Sequence, residues 1–313
     1  MDETAPEPGT ADPLAFVGRE LGRGAKSVVV PKRVWRVSPP AGRGSYLALR
    51  GVSGTTVDFS GGELRGLAAT NVFSLEGCEG VTIRNVALDF DPLPFTQAEI
   101  VEADGGGNWT VRTLSGYPAP GEELLGEVWP LQVYDRASLE LKNPMRGGAG
   151  FRIEKTGDAT YRVSGGENRT GCVGDYVACY STPGGRAFEE HFCEADEYRR
   201  CRVVRRAPED DFAPRAVRRL RSGGHDAFMS RRAAVGPKIL GCTAQYHCDD
   251  AVNVSGNRFS GCVVHVGGTA AHRRPIPPEA CRNVRTEGNL FQRRPAQAPR
   301  FPKTPTPQTE ASP

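Results

Sequence analysis

Two stretches of this chain, LRGVSGTTVDF (residues 49–59) and LEGCEGVTIRN (residues 75–85), share the pattern L-x-G-x-x-G-x-T-[VI] at an offset of 26 residues. A second pair, HDAFMS (225–230) and DDAVNVS (249–255), shares x-D-A-[FV] at an offset of 24. Cys242, Cys262 and Cys281 follow one another at intervals of 20 and 19, and Cys201 lies 41 residues before Cys242, about two such periods. A unit this short cannot bury an apolar face alone, so it must stack on its neighbours. Each unit carries short β-branched runs bounded by Gly or Asn, the pattern of strands rather than helices. A β-solenoid follows, in which one turn rises by about one strand spacing, roughly 4.8 Å, and equivalent residues lie over one another. Recurring cysteines then read best as small buried hydrophobes in a stack. Disulfides and a metal site are the weaker readings, since no CxxC or HxxxH spacing occurs.

Composition agrees with this. The 313 residues suffice for one large or two ordinary domains, and 38 Gly with 25 Pro make a turn-rich chain. The fold is expected to be mostly β. Residues 1–20 read as a flexible N-terminus, 21–90 and 181–292 as the solenoid, 91–180 as an inserted β-barrel or sandwich, and 293–313 as a disordered Pro-rich tail. The opening MDETAPEPGTADPLAF shows no signal peptide, and no run reaches membrane-spanning length. Neither a membrane partner nor a compartment is therefore assigned.

A formal net charge of +3 makes no strong case for nucleic acid. Arginines do cluster at 199, 200, 202, 205, 206, 215, 218, 219 and 221. Acids interleave with them, so a solvated outer face is the leading reading and a basic groove for an anionic polymer the other.

The chemistry concentrates in HDAF and HCDDAVNV. By the repeat alignment Asp226 stacks over Asp250, and His225 over Asp249. Three carboxylates would gather within about 5–10 Å, the range that acid/base hydrolysis of a glycosidic bond requires. Mutual repulsion would raise one pKa and leave another carboxylate ionised. The same residues also suit a solenoid turn, where Asp caps backbone N–H groups.

VTIRNVALDFDPLPFTQAEIVEAD (81–104), HDAF (225–228) and HCDDAVNVSG (247–256) together resemble the α-1,3-galactosidases of glycoside hydrolase family 110, over about residues 25 to 290. That resemblance implies a right-handed parallel β-helix with a β-barrel inserted after DPLPFTQ. It also implies an inverting, metal-free and cofactor-free hydrolase that is usually secreted. Asp226 would be the general acid, and Asp249 and Asp250 would hold and activate the water. A carbohydrate is the implied partner. A non-catalytic carbohydrate-binding or structural β-helix is the alternative, as is another polysaccharide-active β-helix such as a polygalacturonase or lyase.

Further substrate contacts are expected from His225, His247 and Asn253, and from Asp91 at the junction with the insertion, where a turn role before Pro92 competes. Trp109 and Trp129 could stack on a sugar ring, although barrel core suits them better.

Overall fold

A computed structural model describes residues 12–41, 44–68, 70–106, 108–119, 126–128, 131–139, 141–145, 151–165, 173–180, 186–223, 226–244 and 252–255. The chain is mostly β. It begins with one helix, α1 (Pro13–Gly22). Strands β1 (Ser27–Val29), β2 (Val34–Val37), β3 (Ser45–Arg50), β4 (Thr56–Gly66), β5 (Asn71–Glu76) and β6 (Thr82–Phe90) follow. Then come β7 (Phe95–Ala103), β8 (Trp109–Thr113), β9 (Gly126–Val128), β10 (Leu131–Tyr134), β11 (Leu141–Met145), β12 (Phe151–Lys155), β13 (Thr160–Gly165) and β14 (Tyr176–Tyr180). The remainder comprises β15 (Phe188–His191), β16 (Glu197–Arg199), β17 (Arg202–Val203), β18 (Phe228–Arg231), β19 (Lys238–Leu240), β20 (Thr243–Ala244) and β21 (Val252–Ser255).

From β3 onward, leaving aside β7–β14, the chain alternates between two parallel sheets. One is ordered β3-β5-β15-β18-β21, and the other is built on β1-β4-β6-β16-β19. Leu47, Phe73, Phe188, Phe228 and Val252 align across the first sheet. Val57, Ile83, Tyr198 and Ile239 align across the second. All of these point into one core between the sheets. There Phe73, Phe188 and Phe228 stack at centroid separations of 5.2 and 4.8 Å. The register Phe228↔Val252 is the 24-residue offset of the x-D-A-[FV] pair, and Leu49↔Leu75 is the 26-residue offset of the glycine motif.

The motif's glycines have a specific reason. Gly51 and Gly77 leave the first sheet at φ of 60° and 59°, and Gly54 and Gly80 approach the second at 56° and 62°. These are left-handed corner positions, which glycine occupies without strain. On the next turn Phe192 and Ala195 hold the same positions at φ of 55° and 54°, so the pattern disappears from the sequence while the geometry persists. Left-handed backbone costs a non-glycine residue about 1–2 kcal/mol. Glycine's extra freedom in the unfolded chain offsets roughly 0.4–1 kcal/mol of that. Ala195→Gly is therefore expected to raise stability by about 0.5 kcal/mol in urea denaturation. A loss of stability would show that the corner carries no strain.

Helix α1 occupies Pro13–Gly22, where the sequence leads one to expect the end of a flexible N-terminus, and residues 1–11 lie outside the described residues. Asp12 caps it, its carboxylate accepting from Leu14 N–H at 2.8 Å and Ala15 N–H at 3.3 Å. Leu14, Phe16 and Val17 join the core between the sheets. This short apolar stripe closes an end of the winding that would otherwise face water. No helix among the described residues is long and apolar enough to cross a membrane.

Strands β7 to β14 form a separate antiparallel sheet, ordered β11-β10-β14-β7-β8-β13-β12-β9. It packs its own core of Ile100, Val111, Val133 and Val163, and Trp109 is buried within that core. Trp109 is thus unavailable as a sugar platform, and Trp129 lies outside the described residues.

Cys78, Cys193, Cys201 and Cys242 are buried. The Cys78 N–H lies 3.4 Å from Cys193 Sγ, and the Cys201 N–H lies 3.4 Å from Cys242 Sγ. Each pair is stacked on adjacent turns, as small hydrophobes. The 41 residues between Cys201 and Cys242 span one turn, not two: Arg202 pairs with Thr243, and an excursion between β17 and β18 takes up the extra length. Cys262 and Cys281 lie outside the described residues.

That excursion corrects the reading of the arginine cluster as one solvated face. Arg219 and Arg221 are among the most deeply buried side chains. The Arg219 guanidinium donates to Asp89 at 2.9 Å and to Asp211 at 2.6 Å. Arg206 donates to Asp89 at 2.5 Å and also contacts Glu63. Phe212 lies beneath the guanidinium groups of Arg65, Arg206 and Arg219. Arg199, Arg200 and Arg202 remain exposed.

Candidate functional site

The polar centre of the molecule sits where the strands of the first parallel sheet begin. Strand β15 reads FEEH, and period-two alternation sends its neighbouring glutamates to opposite faces. Phe188 and Glu190 point into the core, while Glu189 points outward. Ahead of the strands the ladder continues: Phe73 N–H donates to Ala187 O at 3.0 Å, and Ala187 N–H to Asp226 O at 3.3 Å. Arg186 N–H reaches the Asn71 side chain at 3.1 Å. Asn71, Arg186 and Asp226 thereby follow one another on successive turns.

The side chains of Asn71 and Arg186 converge on Glu189. Its carboxylate accepts from Asn71 Nδ2, lies 3.0 Å from His191 Nε2, and lies 3.7 Å from Arg186 Nη1. The Nε of the same guanidinium lies 3.5 Å from Asp226 Oδ2. Two carboxylates from successive turns therefore share one arginine. Glu189 is 7% exposed and Asp226 1%, whereas His191 is only part-buried. Ser74, Glu189, Met229 and Asn253 align across this outer face.

Behind the strand lies a second acid. Ser230 Oγ donates to Glu190 at 2.6 Å and Tyr198 OH donates at 3.2 Å. Burial pushes the Glu190 carboxyl up to about 8, so it is protonated at neutral pH. Burial also raises Asp196, to about 6, while that residue accepts from Val81 N–H at 2.8 Å. Burial raises Tyr198 well above its ordinary value, and the neighbouring Glu190 adds to this.

Of the residues expected at a site, Asp226 and Asn253 are on this sheet. Asp91 is elsewhere: it follows β6 and pairs with Arg36 at 3.4 Å, an exposed ion pair at the junction with the antiparallel sheet. His225, His247, Asp249 and Asp250 lie outside the described residues. Sequence reasoning missed Arg186, Glu189 and Glu190. Their signal was the adjacent acids of FEEH, a pairing on an apolar strand like that of DDAV. Among the described residues no group of three His, Cys, Asp or Glu side chains is placed to hold a metal ion.

No family model matches the chain, and no curated protein matches it. Among solved structures, it is similar to a tailspike of Acinetobacter baumannii bacteriophage AP22, in complex with A. baumannii capsular saccharide, at 13% identity and a TM-score of 0.20. That alignment covers 89% of this chain and 44% of the tailspike, so the chain spans less than half the tailspike's length. Likeness at this level carries no argument about fold or function.

Proposed function

We propose that the chain is a carbohydrate-active right-handed parallel β-helix, with residues 21–90 and 181–292 forming the helix and 91–180 an inserted β-barrel. We further propose that it hydrolyses a glycosidic bond, with a terminal α-1,3-linked galactose as the leading substrate. The observation carrying this reading is the meeting of Glu189 and Asp226 on Arg186, from successive turns, on one outer face. The repeat alignment of the sequence sets Asp250 against Asp226 and Asp249 against His225. The start of β7 at Phe95, directly after DPLP, agrees with the insertion that the sequence resemblance implies.

In this reaction Asp226 protonates the glycosidic oxygen while the carbon–oxygen bond to it breaks. Asp249 or Asp250 takes a proton from a water whose oxygen bonds to the anomeric carbon from the opposite face, inverting it. Asn71 and Arg186 position the carboxylates, while His191 and Asn253 lie where hydroxyl groups would be read.

A second reading has its own support. Asp226 is almost fully buried against Arg186, which is how a purely structural aspartate is satisfied. A non-catalytic carbohydrate-binding or structural β-helix would contain this pair.

The test is a release assay on aryl-α-galactosides and α-1,3-linked galactosyl oligosaccharides. Wild-type protein is expected to release galactose, and Asp226→Asn and Asp250→Asn to lose about 10²–10⁴ in kcat while remaining folded by circular dichroism. Unchanged turnover in Asp226→Asn removes that residue from catalysis. No release by folded wild type favours the structural reading.

A further inference from the structure

The exposed arginines Arg199, Arg200 and Arg202 are not absorbed by the site above. They lie on the outer face of the second parallel sheet. Asp58, Arg84, Arg199 and Leu240 align there across four strands, and Arg202 stands level with Ala87 and Thr243. Two hollows, each of about 450 Å³, flank Arg200. Small side chains floor them: Thr56 and Thr82 with Gly241 in one, Gly61 and Ala87 in the other. Longer basic side chains stand at the rims.

The charges do not balance. Asp58 pairs with Arg84 at 2.7 Å, and Glu197 is shared by Arg199 at 2.5 Å and Lys238 at 2.8 Å. Arg200 donates to a neutral acceptor, Asn85 Oδ1, at 2.7 Å. Among the described residues neither Arg200 nor Arg202 has a carboxylate partner. Arg200 also holds the left-handed corner position between Asn85 and Gly241, with φ values of 51°, 58° and 59°. Its backbone is thus fixed by the bend while its guanidinium stands between the two hollows. The cross-strand arginines Arg84 and Arg199 are neutralised by Asp58 and Glu197, so the unbalanced charge of this face sits on Arg200 and Arg202.

We infer that this face binds an acidic oligosaccharide, a chain of uronate-type sugars laid across the strands with carboxylates on Arg200 and Arg202. Guanidinium groups take carboxylates in paired, directional hydrogen bonds. The hydroxyl and glycine floors suit sugar rings. Among the described residues no aromatic side chain lines either hollow, so they offer a nucleic acid no stacking platform. This site is on a different sheet from Asp226 and does not depend on the hydrolase reading.

The test is calorimetric titration of the full chain with a β-1,4-glucuronan hexamer, using cellohexaose as the neutral chain of the same linkage. The glucuronan is expected to bind and cellohexaose not. Raising salt from about 50 to about 200 mM is expected to weaken binding several-fold. The double variant Arg200→Asn/Arg202→Gln, in which Asn keeps the left-handed corner, is expected to weaken it at least about tenfold. Asp226→Asn and Arg152→Gln, the latter on the antiparallel sheet, are expected to bind as wild type does. No binding of the glucuronan at about 1 mM overturns the inference, as does equal binding of cellohexaose. Unchanged affinity in the folded double variant, loss of affinity in Asp226→Asn, or tighter binding of an oligothymidylate of equal charge would also overturn it.

Discussion

Arg219→Met is expected to lower the free energy of unfolding by about 3–5 kcal/mol, the cost of removing one partner from a buried ion network. Arg219 is 1% exposed and makes a two-sided bridge. Its Nη1 donates to both oxygens of Asp89 at 2.9 and 3.2 Å, and its Nε and Nη2 donate to the two oxygens of Asp211 at 2.9 and 2.6 Å. Burial opposes the charge on both acids. At Asp211 the hydrogen bonds from Arg219 and Arg215 outweigh burial and hold the carboxyl down at about 2. At Asp89 burial prevails and the pKa is raised even with Arg219 and Arg206 beside it. Methionine keeps the apolar stem of the side chain but leaves Asp89 with one guanidinium and Asp211 with Arg215 alone. The double variant Asp89→Asn/Arg219→Met should lose less than the sum of the single losses, because the stranded charge is gone. Urea denaturation of the four proteins measures both quantities. A loss under about 1 kcal/mol for Arg219→Met would mean that the network is solvated and that the segment is held by other contacts. The consequence for function is positional. The segment pinned by Arg219 leads directly into Asp226, so its release is expected to appear as faster amide exchange at Ala227 and Phe228.

Glu190→Gln is expected to stabilise the protein at about pH 8 by on the order of 4 kcal/mol while changing little at about pH 5. Glu190 titrates near its ordinary 4.5 when unfolded and near 8 when folded, because burial dominates. Between those values the folded state holds a proton that the unfolded state has lost. The contribution of Glu190 is therefore complete below its unfolded pKa and is lost as pH rises through the window to about 8. Asp196 acts in the same sense over the lower part of the window, from 3.8 to about 6. Asp211, with its folded pKa depressed, acts in the opposite sense but only at more acid pH. Wild type should accordingly lose stability from about pH 5 to about pH 8, and Gln, neutral throughout and able to accept from Ser230 and Tyr198, should flatten most of that slope. Parallel slopes in the two proteins would remove Glu190 as the cause.

Parts of this architecture are plain in the chain and parts are not, for identifiable reasons. The glycine motif announces two turns because backbone conformation selects glycine locally. The third turn is silent because Phe192 and Ala195 accept the same left-handed backbone at an energetic cost. The x-D-A-[FV] offset is legible because strand register sets it, and Phe228↔Val252 reproduces it. The 41-residue interval between cysteines misleads, since spacing counts residues whether they wind or make an excursion. The arginine run misleads for a similar reason. Exposed Arg202 and buried Arg219 lie 17 positions apart, and no period marks which of them turns inward.

Short β-branched runs, corner glycines and one repeat offset together determine a mostly β chain that winds through stacked strands, because these features express local backbone preference and the period-two alternation of side chains. The chain also carries the acids, but not their company. Glu189 meets Arg186 and Asp226 only because separate turns are stacked one strand spacing apart, and Asp89 meets Arg219 across 130 residues. Which carboxylate is paired and which is held protonated depends on burial and on charges brought from distant segments. Those quantities exist only once the chain has packed.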